Sequence, residues 1–211
     1  MALYDAAPVL LLDRDGTLIE EKHYLSDPEQ VVLLPGVGPC LQELAAQGAR
    51  FFLVSNQSGI GRGYFSPEAA HAVNERLALL LREYNVRFTD MIFCPHTPQE
   101  ACPCRKPRIG MWEYLQKTHS LDPAACIMVG DKREDMGFAA TAGLALRILV
   151  LTGHGREAAA ALGLALHDES CLVCNAEAHS PMYPQLVIPS FFQLKHGLEL
   201  FTMSQRQSCG V

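Results

Sequence analysis

Four polar sites fall at the ends of apolar runs in this chain, and together they suit chemistry that none performs alone. Asp13 and Asp15 follow the run Val9-Leu10-Leu11-Leu12. Ser55 follows Phe51-Phe52-Leu53-Val54, and Lys106 follows Met91-Ile92-Phe93 across a Pro- and Cys-rich loop. Asp131, with Asp135, follows Cys126-Ile127-Met128-Val129. Two carboxylates two residues apart share one side of an extended backbone. They repel unless a cation or a shared proton intervenes, so the Asp13/Asp15 pair asks for a metal ion, an acid/base role, or both. One acidic residue after a strand is usually a turn or cap residue; four polar sites on one sheet edge are not explained by turns. The set suits phosphoryl transfer. A carboxylate can attack phosphorus and form an aspartyl-phosphate, and Mg2+ can screen and bridge the carboxylate and the phosphate. A lysine and a hydroxyl can hold the phosphoryl oxygens, and a second acid can protonate the leaving alcohol and then activate water.

The stretches between these sites must supply the frame. Residues 9–12 read as a buried strand, and Gly16 lets the chain turn sharply after it. Pro35-Gly36 precedes a helical pattern through Leu41, Leu44 and Ala45 that stops at Gly48. Residues 51–54 form the second strand, followed by Ser55-Asn56-Gln57-Ser58 and a loop over 59–63. Ser66-Pro67 opens a helix with Ala70, Val73, Leu77, Leu80 and Leu81 on one face. Residues 91–93 are the third strand, a helix runs through Trp112 and Leu115, and 126–129 are the fourth strand, closed by Gly130-Asp131. A helix over 134–142 ends at Gly143, and 146–151 form the fifth strand. Strands alternating with helices predict an α/β fold: a doubly wound, mostly parallel, Rossmann-like sheet with helices on both faces. Ligands of such sheets bind outside the carboxyl ends of the strands, where the four polar sites fall. Beyond Gly155 the pattern predicts a short helix over 156–162, an irregular insertion at 165–184, and an edge strand at Leu186-Val187-Ile188. A final helix follows, capped by Ser190 and running through Phe191, Leu194, Leu198 and Phe201, with a frayed tail from Ser204. No stretch between the first and third strands is long enough for a large cap domain. The 211 residues read as a single domain.

A second constellation is Cys94-Pro-His96 followed by Cys102-Pro-Cys104. Three cysteines and a histidine are the closed ligand set of structural zinc. The loop is too short and Pro-rich to bury three thiols as ordinary hydrophobes, and no position is left open for a catalytic water. The zinc would staple the loop that delivers Arg105 and Lys106 to the sheet edge.

With these motifs in view, the chain resembles the haloacid dehalogenase (HAD) superfamily of phosphatases. Its Asp-x-Asp-Gly-Thr, strand-end Ser55, Lys106 and Gly130-Asp-x-x-x-Asp135 are similar to the four motifs of that superfamily. The resemblance implies Asp13 as nucleophile, Asp15 as general acid/base, and Ser55 and Lys106 as phosphoryl-stabilising groups. It also implies Mg2+ on Asp13, the main-chain carbonyl of Asp15, and Asp131, with Asp135 in support. The zinc loop narrows the likeness to the branch holding D-glycero-D-manno-heptose 1,7-bisphosphate phosphatases and histidinol-phosphate phosphatases, over residues 9–155. Ser55-Asn-Gln-Ser-Gly-Ile-Gly-Arg-Gly-Tyr-Phe65, Gly130-Asp-Lys-Arg-Glu-Asp-Met136 and Leu151-Thr-Gly-His-Gly155 look more like the heptose enzymes. There the positions of Glu21, Lys22, His23, Tyr24, Ser55, Asn56, Gln57, Ser58, Arg105 and Lys132 contact substrate. The implied reaction is removal of the 7-phosphate of the bisphosphate, in the synthesis of nucleotide-activated heptose for the lipopolysaccharide core. The short gap between the zinc ligand pairs is common in the histidinol-phosphate branch, and residues 165–184 match neither.

Charge bears on the substrate independently. A bisphosphate needs spare cations, and Arg62, Arg105, Arg108, Lys132 and Arg133 lie within or beside the motifs. Histidinol phosphate carries a cationic amine and would favour acids, for which Glu20, Glu21, Glu100 and Glu134 are present. Histidinol-phosphate hydrolysis is therefore the alternative, and a catalytically dead homologue serving as a binding module is a second. The net charge of −6 argues against a general nucleic-acid binder. No basic-then-apolar leader opens the chain and no apolar run approaches membrane-spanning length. With a cysteine cluster that reads as a metal site, this predicts a cytoplasmic protein; it is expected to be a monomer, and the resemblance implies a small phosphorylated sugar as its substrate. Gly59-x-Gly-x-Gly63 does not meet the dinucleotide-loop spacing. Cys171-Leu-Val-Cys174, near His167 and His179, is a single ligand pair and a weak second metal motif.

Overall fold

A computed structural model describes residues 7–166, 170–174 and 182–208, the side chains of 205–208 excepted. The frame is a seven-stranded sheet of β1 (Val9–Leu12), β2 (Arg50–Asn56), β3 (Phe88–Cys94), β4 (Cys126–Gly130), β5 (Leu146–Val150), β6 (Leu172–Val173) and β7 (Leu186–Ile188). Its order is β3-β2-β1-β4-β5-β7-β6. All neighbours are parallel except β6 and β7. The chain winds outward from β1 to β3 and then resumes on the other side at β4. The gap beyond the ends of β1 and β4 is thus the topological switch point, where such sheets open a crevice.

Alternation along β1 sends Leu10 and Leu12 into one apolar cluster and Val9 and Leu11 into another. The first cluster is covered by α1 (Val37–Ala46), α3 (Pro67–Arg82) and α7 (Leu194–Ser208), through residues such as Leu41, Leu77 and Leu198. The second is covered by α4 (Gly110–His119) and α5 (Arg133–Thr141), through Trp112, Leu115 and Phe138. A third, around Leu149 and Val187, takes Ala158 and Ala159 of α6 (Gly155–Ala161). Because β1 is buried on both faces it reads as a continuous apolar run rather than an alternating one. Helices cover both faces, as the pattern predicts, and no large cap domain is inserted among the described residues. No helix among them is long and apolar enough to cross a membrane.

The local signals hold where they rest on a mechanism. Ser66 Oγ accepts from the Ala69 N–H at 3.3 Å, and Pro67 opens α3. Four expectations need correction. Residues 59–63 are not all loop, because Ser58–Gly61 forms a four-residue helix, α2, against the Pro95 carbonyl. Within 165–184, Leu172 and Val173 form a strand, so Leu186–Ile188 is not the edge; it is flanked by β5 and β6 and wholly buried. Ser190 does not cap a helix, since its Oγ donates to Gln193 Oε1 at 2.6 Å and the chain enters α7 through a 3-10 turn. The tail past Ser204 stays helical to Ser208, with Ser204 Oγ donating back to the Phe201 carbonyl.

Candidate active site

Asp13 leaves β1 with its N–H on the Val129 carbonyl of β4 at 3.0 Å. Three residues on, Gly16 turns at φ +78°. It packs so closely that a Cβ there would lie 2.3 Å from Asp131 Oδ2 and 2.9 Å from the Gly153 Cα. Thr152 Oγ1 donates to the Gly16 carbonyl at 2.6 Å. The ends of β1, β4 and β5 are thereby knitted together by backbone contact, which a side chain at Gly16 would force apart.

Lys106 is the electrostatic hub. Its buried ammonium donates to Asp13 Oδ1 at 2.9 Å and to the Val54 carbonyl at 2.7 Å, and pairs with Asp135 Oδ1 at 2.6 Å. All three of its protons are therefore used. Burial alone would lower the Lys106 pKa, but Asp13 and Asp135 outweigh it and hold it above the ordinary value. Burial would likewise raise Asp13, yet Lys106 and Lys132 hold that carboxyl below its usual range. Asp135 goes the other way, to about 6, because its burial exceeds what Lys106 returns.

Asp131 is fully buried; its Oδ2 accepts from the His154 N–H at 2.8 Å, and Lys132 Nζ lies 3.4 Å from Oδ1. No hydrogen bond reaches Oδ1. Carboxylate oxygens of Asp13, Asp131 and Asp135 lie within 4.8 Å of one another. Three hard oxygen donors with one acceptor unmet fit Mg2+. Asp15 gives this trio no carboxylate, so any contribution from it falls to its main-chain carbonyl. Burial, with Asp13 and Asp135 opposite, outweighs Lys132 and the His154 N–H and pushes Asp131 up to about 8. Below that pH the metal-free centre holds a proton that a cation must displace. The sign follows: Mg2+ affinity should climb between about pH 6 and pH 8, by up to about tenfold per unit, then level off. Calorimetry in buffers of different protonation enthalpy should see proton release on that slope, and an affinity flat across it would refute this account of the trio.

Cys94, His96, Cys102 and Cys104 also gather, with all four ligand atoms within 4.8 Å. The sulfurs are 3.1 to 3.4 Å apart, and His96 Nδ1 is 3.3 Å from Cys104 Sγ. This soft, closed set fits zinc. The loop it shapes is joined to the site at two places. Arg105 donates to the His96 carbonyl at 3.2 Å. Asn56, at the end of β2, accepts from the Lys106 N–H at 3.0 Å and donates to the Lys106 carbonyl at 3.1 Å. The Asn56 amide thus grips the Lys106 backbone at both polar atoms, by two hydrogen bonds worth about 1 kcal/mol each.

These groups border one cleft of about 280 Å³. It brings together Asp13, Asp15, Ser55, Lys106 and Asp135 with most of the residues expected at the substrate: Glu21, His23, Tyr24, Asn56, Gln57, Ser58, Arg105 and Lys132. His23 and Tyr24 adopt left-handed backbone, and Tyr24 meets Tyr64 edge to face at 4.7 Å. Gln57 is turned inward, donating to Asp15 Oδ2 and to Ser55 Oγ at 2.8 Å each. Lys22 and Arg62 do not join the cleft. Lys22 points away, its ammonium donating to the Gln30 carbonyl at 2.8 Å, and Arg62 stands exposed after α2. Glu134, one of the acids noted for a cationic substrate, lines the cleft, and so does His154, which the sequence reading gave no role. Glu21 joins them electrostatically, 3.5 Å from Lys132 Nζ and 3.7 Å from His154 Nε2. His154 follows the fifth strand in Leu151-Thr-Gly-His-Gly155, the one strand end for which no chemistry was read. The Cys171 and Cys174 thiols face separate carbonyls, those of Gln193 and Leu172, and pack into different apolar clusters. They assemble no metal group among the described residues, and His167 and His179 lie outside those residues.

Comparison with known proteins agrees with this geometry. A HAD-hydrolase-like family model matches residues 103–172. The D-glycero-beta-D-manno-heptose-1,7-bisphosphate 7-phosphatase of Haemophilus ducreyi is 41% identical over 151 residues, 68% of this chain and 83% of the relative. That of Yersinia pestis is 37% identical over 155 residues, 70% and 82% of the two chains. Among solved structures, the D,D-heptose 1,7-bisphosphate phosphatase from B. bronchiseptica, complexed with magnesium and phosphate, aligns with a TM-score of 0.75 and 26% identity. The alignment covers 95% of this chain and 99% of that one.

Proposed function

Since this chain belongs to the family of D-glycero-beta-D-manno-heptose-1,7-bisphosphate 7-phosphatases, we propose that it hydrolyses the 7-phosphate of that heptose bisphosphate through an aspartyl-phosphate on Asp13. The observation that carries the reading is the buried Lys106 bridging Asp13 and Asp135 beside Asp131, whose Oδ1 accepts no hydrogen bond. In the first half-reaction an Asp13 oxygen attacks phosphorus. The bond to the sugar oxygen breaks, its electron pair leaves with that oxygen, and Asp15 supplies the proton. In the second, Asp15 takes a proton from water, the water oxygen attacks the phosphoryl group, and the Asp13–phosphorus link breaks to release inorganic phosphate. Lys106 and Ser55 steady the phosphoryl oxygens as charge shifts onto them. Asp13, Asp131 and the Asp15 carbonyl, with Asp135 in support, would hold Mg2+, which would supply charge neutralisation between carboxylate and phosphate. Zinc on Cys94, His96, Cys102 and Cys104 holds the loop. The unit acts as one domain, as a cytoplasmic monomer, in the route to nucleotide-activated heptose for lipopolysaccharide.

Arg105 and Lys132 are the cations in the cleft left for a second phosphate. Burial would lower the Lys132 pKa, but Asp13, Asp131 and Asp135 together overcome it and keep the ammonium charged. A second reading, histidinol phosphate, is favoured by Glu21 and Glu134, which line the same cleft and would suit a cationic amine. Steady-state turnover on both compounds separates the two. The expected result is a kcat/KM at least about a hundredfold higher on the bisphosphate, the worth of a charged contact pair or two. A preference for histidinol phosphate would overturn the heptose assignment.

A further inference from the structure

Arg14 sits between the two aspartates of the motif, has no solvent exposure, and has no part in the chemistry set out above. Its guanidinium is spent on its neighbours. Nε lies 3.1 Å from each Asp15 oxygen, and Nη2 lies 2.9 Å from Asp15 Oδ2. Nη2 also donates to Gln57 Oε1, and Nη1 to Asn74 Oδ1, both at 2.9 Å. Asn74 is itself buried, in the middle of α3. Gln57 closes the ring by donating to Asp15 Oδ2. One carboxylate is therefore held by Arg14, at the end of β1, and by Gln57, just after β2, while α3 grips Arg14 through Asn74.

Stability does not account for such a device. A buried ion pair is on average no better for folding than apolar groups of the same volume. What a planar, forked donor supplies is orientation, since two parallel contacts fix the carboxylate plane. Here the fixing is unequal. Asp15 Oδ2 takes the two shortest donors, from Nη2 and from Gln57, and has little room for a proton. Oδ1 takes only the longer Nε contact.

We propose that Arg14, anchored by Asn74, is the positioning residue of Asp15, and that it assigns the transferable proton to Asp15 Oδ1. The inference rests on Asp15 being the general acid and base. Arg14 itself touches neither substrate nor metal. Its effect is to keep Oδ1 within hydrogen-bond reach of the ester oxygen as the phosphorus–oxygen bond breaks, and of water in the second half-reaction. A general acid displaced by about 1 Å loses on the order of 10²-fold in rate.

The test compares leaving groups. Heptose 1,7-bisphosphate expels an alkoxide that needs a proton; 2,4-dinitrophenyl phosphate expels a stable anion that does not. The value of kcat/KM includes only steps through departure of that group. Arg14→Lys keeps the charge and loses the fork. It should lower kcat/KM on the sugar phosphate by about 10- to 100-fold, and by a factor at least tenfold smaller on the aryl ester. Asn74→Leu, which removes the anchor from a helix position that accepts leucine, should shift the ratio in the same direction and serves if Arg14→Lys does not fold. Equal losses on both substrates would overturn the proposal and leave Arg14 a support of the folded site. Asp15→Asn, measured alongside, separates this from the parent reading. If it shows the leaving-group dependence and the other two variants do not, the positioning role alone is wrong. If Asp15→Asn lacks that dependence too, the general-acid assignment fails and the inference falls with it.

Discussion

Asp13→Asn should lower kcat by about four orders of magnitude or more, the scale seen when a covalent nucleophile is removed. An amide is a far weaker nucleophile than a carboxylate, and it also removes one charge from the trio with Asp131 and Asp135. The fold should survive. Lys106 keeps its contacts to Asp135 and to the Val54 carbonyl, and its contact at residue 13 is weakened rather than lost. A loss on the order of 1 kcal/mol corresponds to about 2–4 °C in melting temperature for a chain of this size. Turnover and a thermal melt on one preparation therefore test the assignment together. Turnover within about a hundredfold of wild type would remove Asp13 from the nucleophile's role, and a biological role untouched by the substitution would favour a binding module over an enzyme.

The largest expected effect on stability is at the zinc loop. Wild-type protein purified without added zinc should carry about one equivalent, as a closed three-cysteine, one-histidine site requires, and Cys102→Ala should carry little. Loss of a structural metal belongs to the few mechanisms that cost on the order of 4 kcal/mol. That should lower the melting temperature by about 8–16 °C. The chemistry should suffer less, within about tenfold in kcat, because Asn56 holds the Lys106 backbone from β2 whether or not the loop is stapled. A zinc-free wild type, or a variant that melts with it, would contradict the structural assignment.

What the sequence disclosed and what it hid follow from the range of the forces involved. Apolar runs and turn residues are local, so the strands through β5 and the helices between them were legible, and so were the four polar strand ends. The zinc ligands were legible because a ligand set has its own spacing. Leu186–Ile188 was misplaced at the edge because its cover is a two-residue strand, too short to print a pattern. Lys22 was assigned to the substrate by the resemblance and Arg62 by its place beside the motifs, but a residue in a loop can face away, as Lys22 does toward Gln30. Arg14 passed unnoticed for a related reason. Nothing near it in sequence announces Asn74 or Gln57, the partners that let its charge be buried.

The Asn56 grip bears on how such an enzyme could diverge. Arg105 and Lys106 are consecutive, so selection acting on the residue that faces substrate would be expected to drag the catalytic lysine along. The two hydrogen bonds from β2 interrupt that linkage, since they fix Lys106 to the sheet while everything before it belongs to the loop. The loop can then lengthen, shorten or exchange its tip between the ligand pairs, and re-aim Arg105, without disturbing the ammonium on Asp13. Asn56 thus marks a boundary between the loop that aims Arg105 and the sheet that holds the Lys106 ammonium.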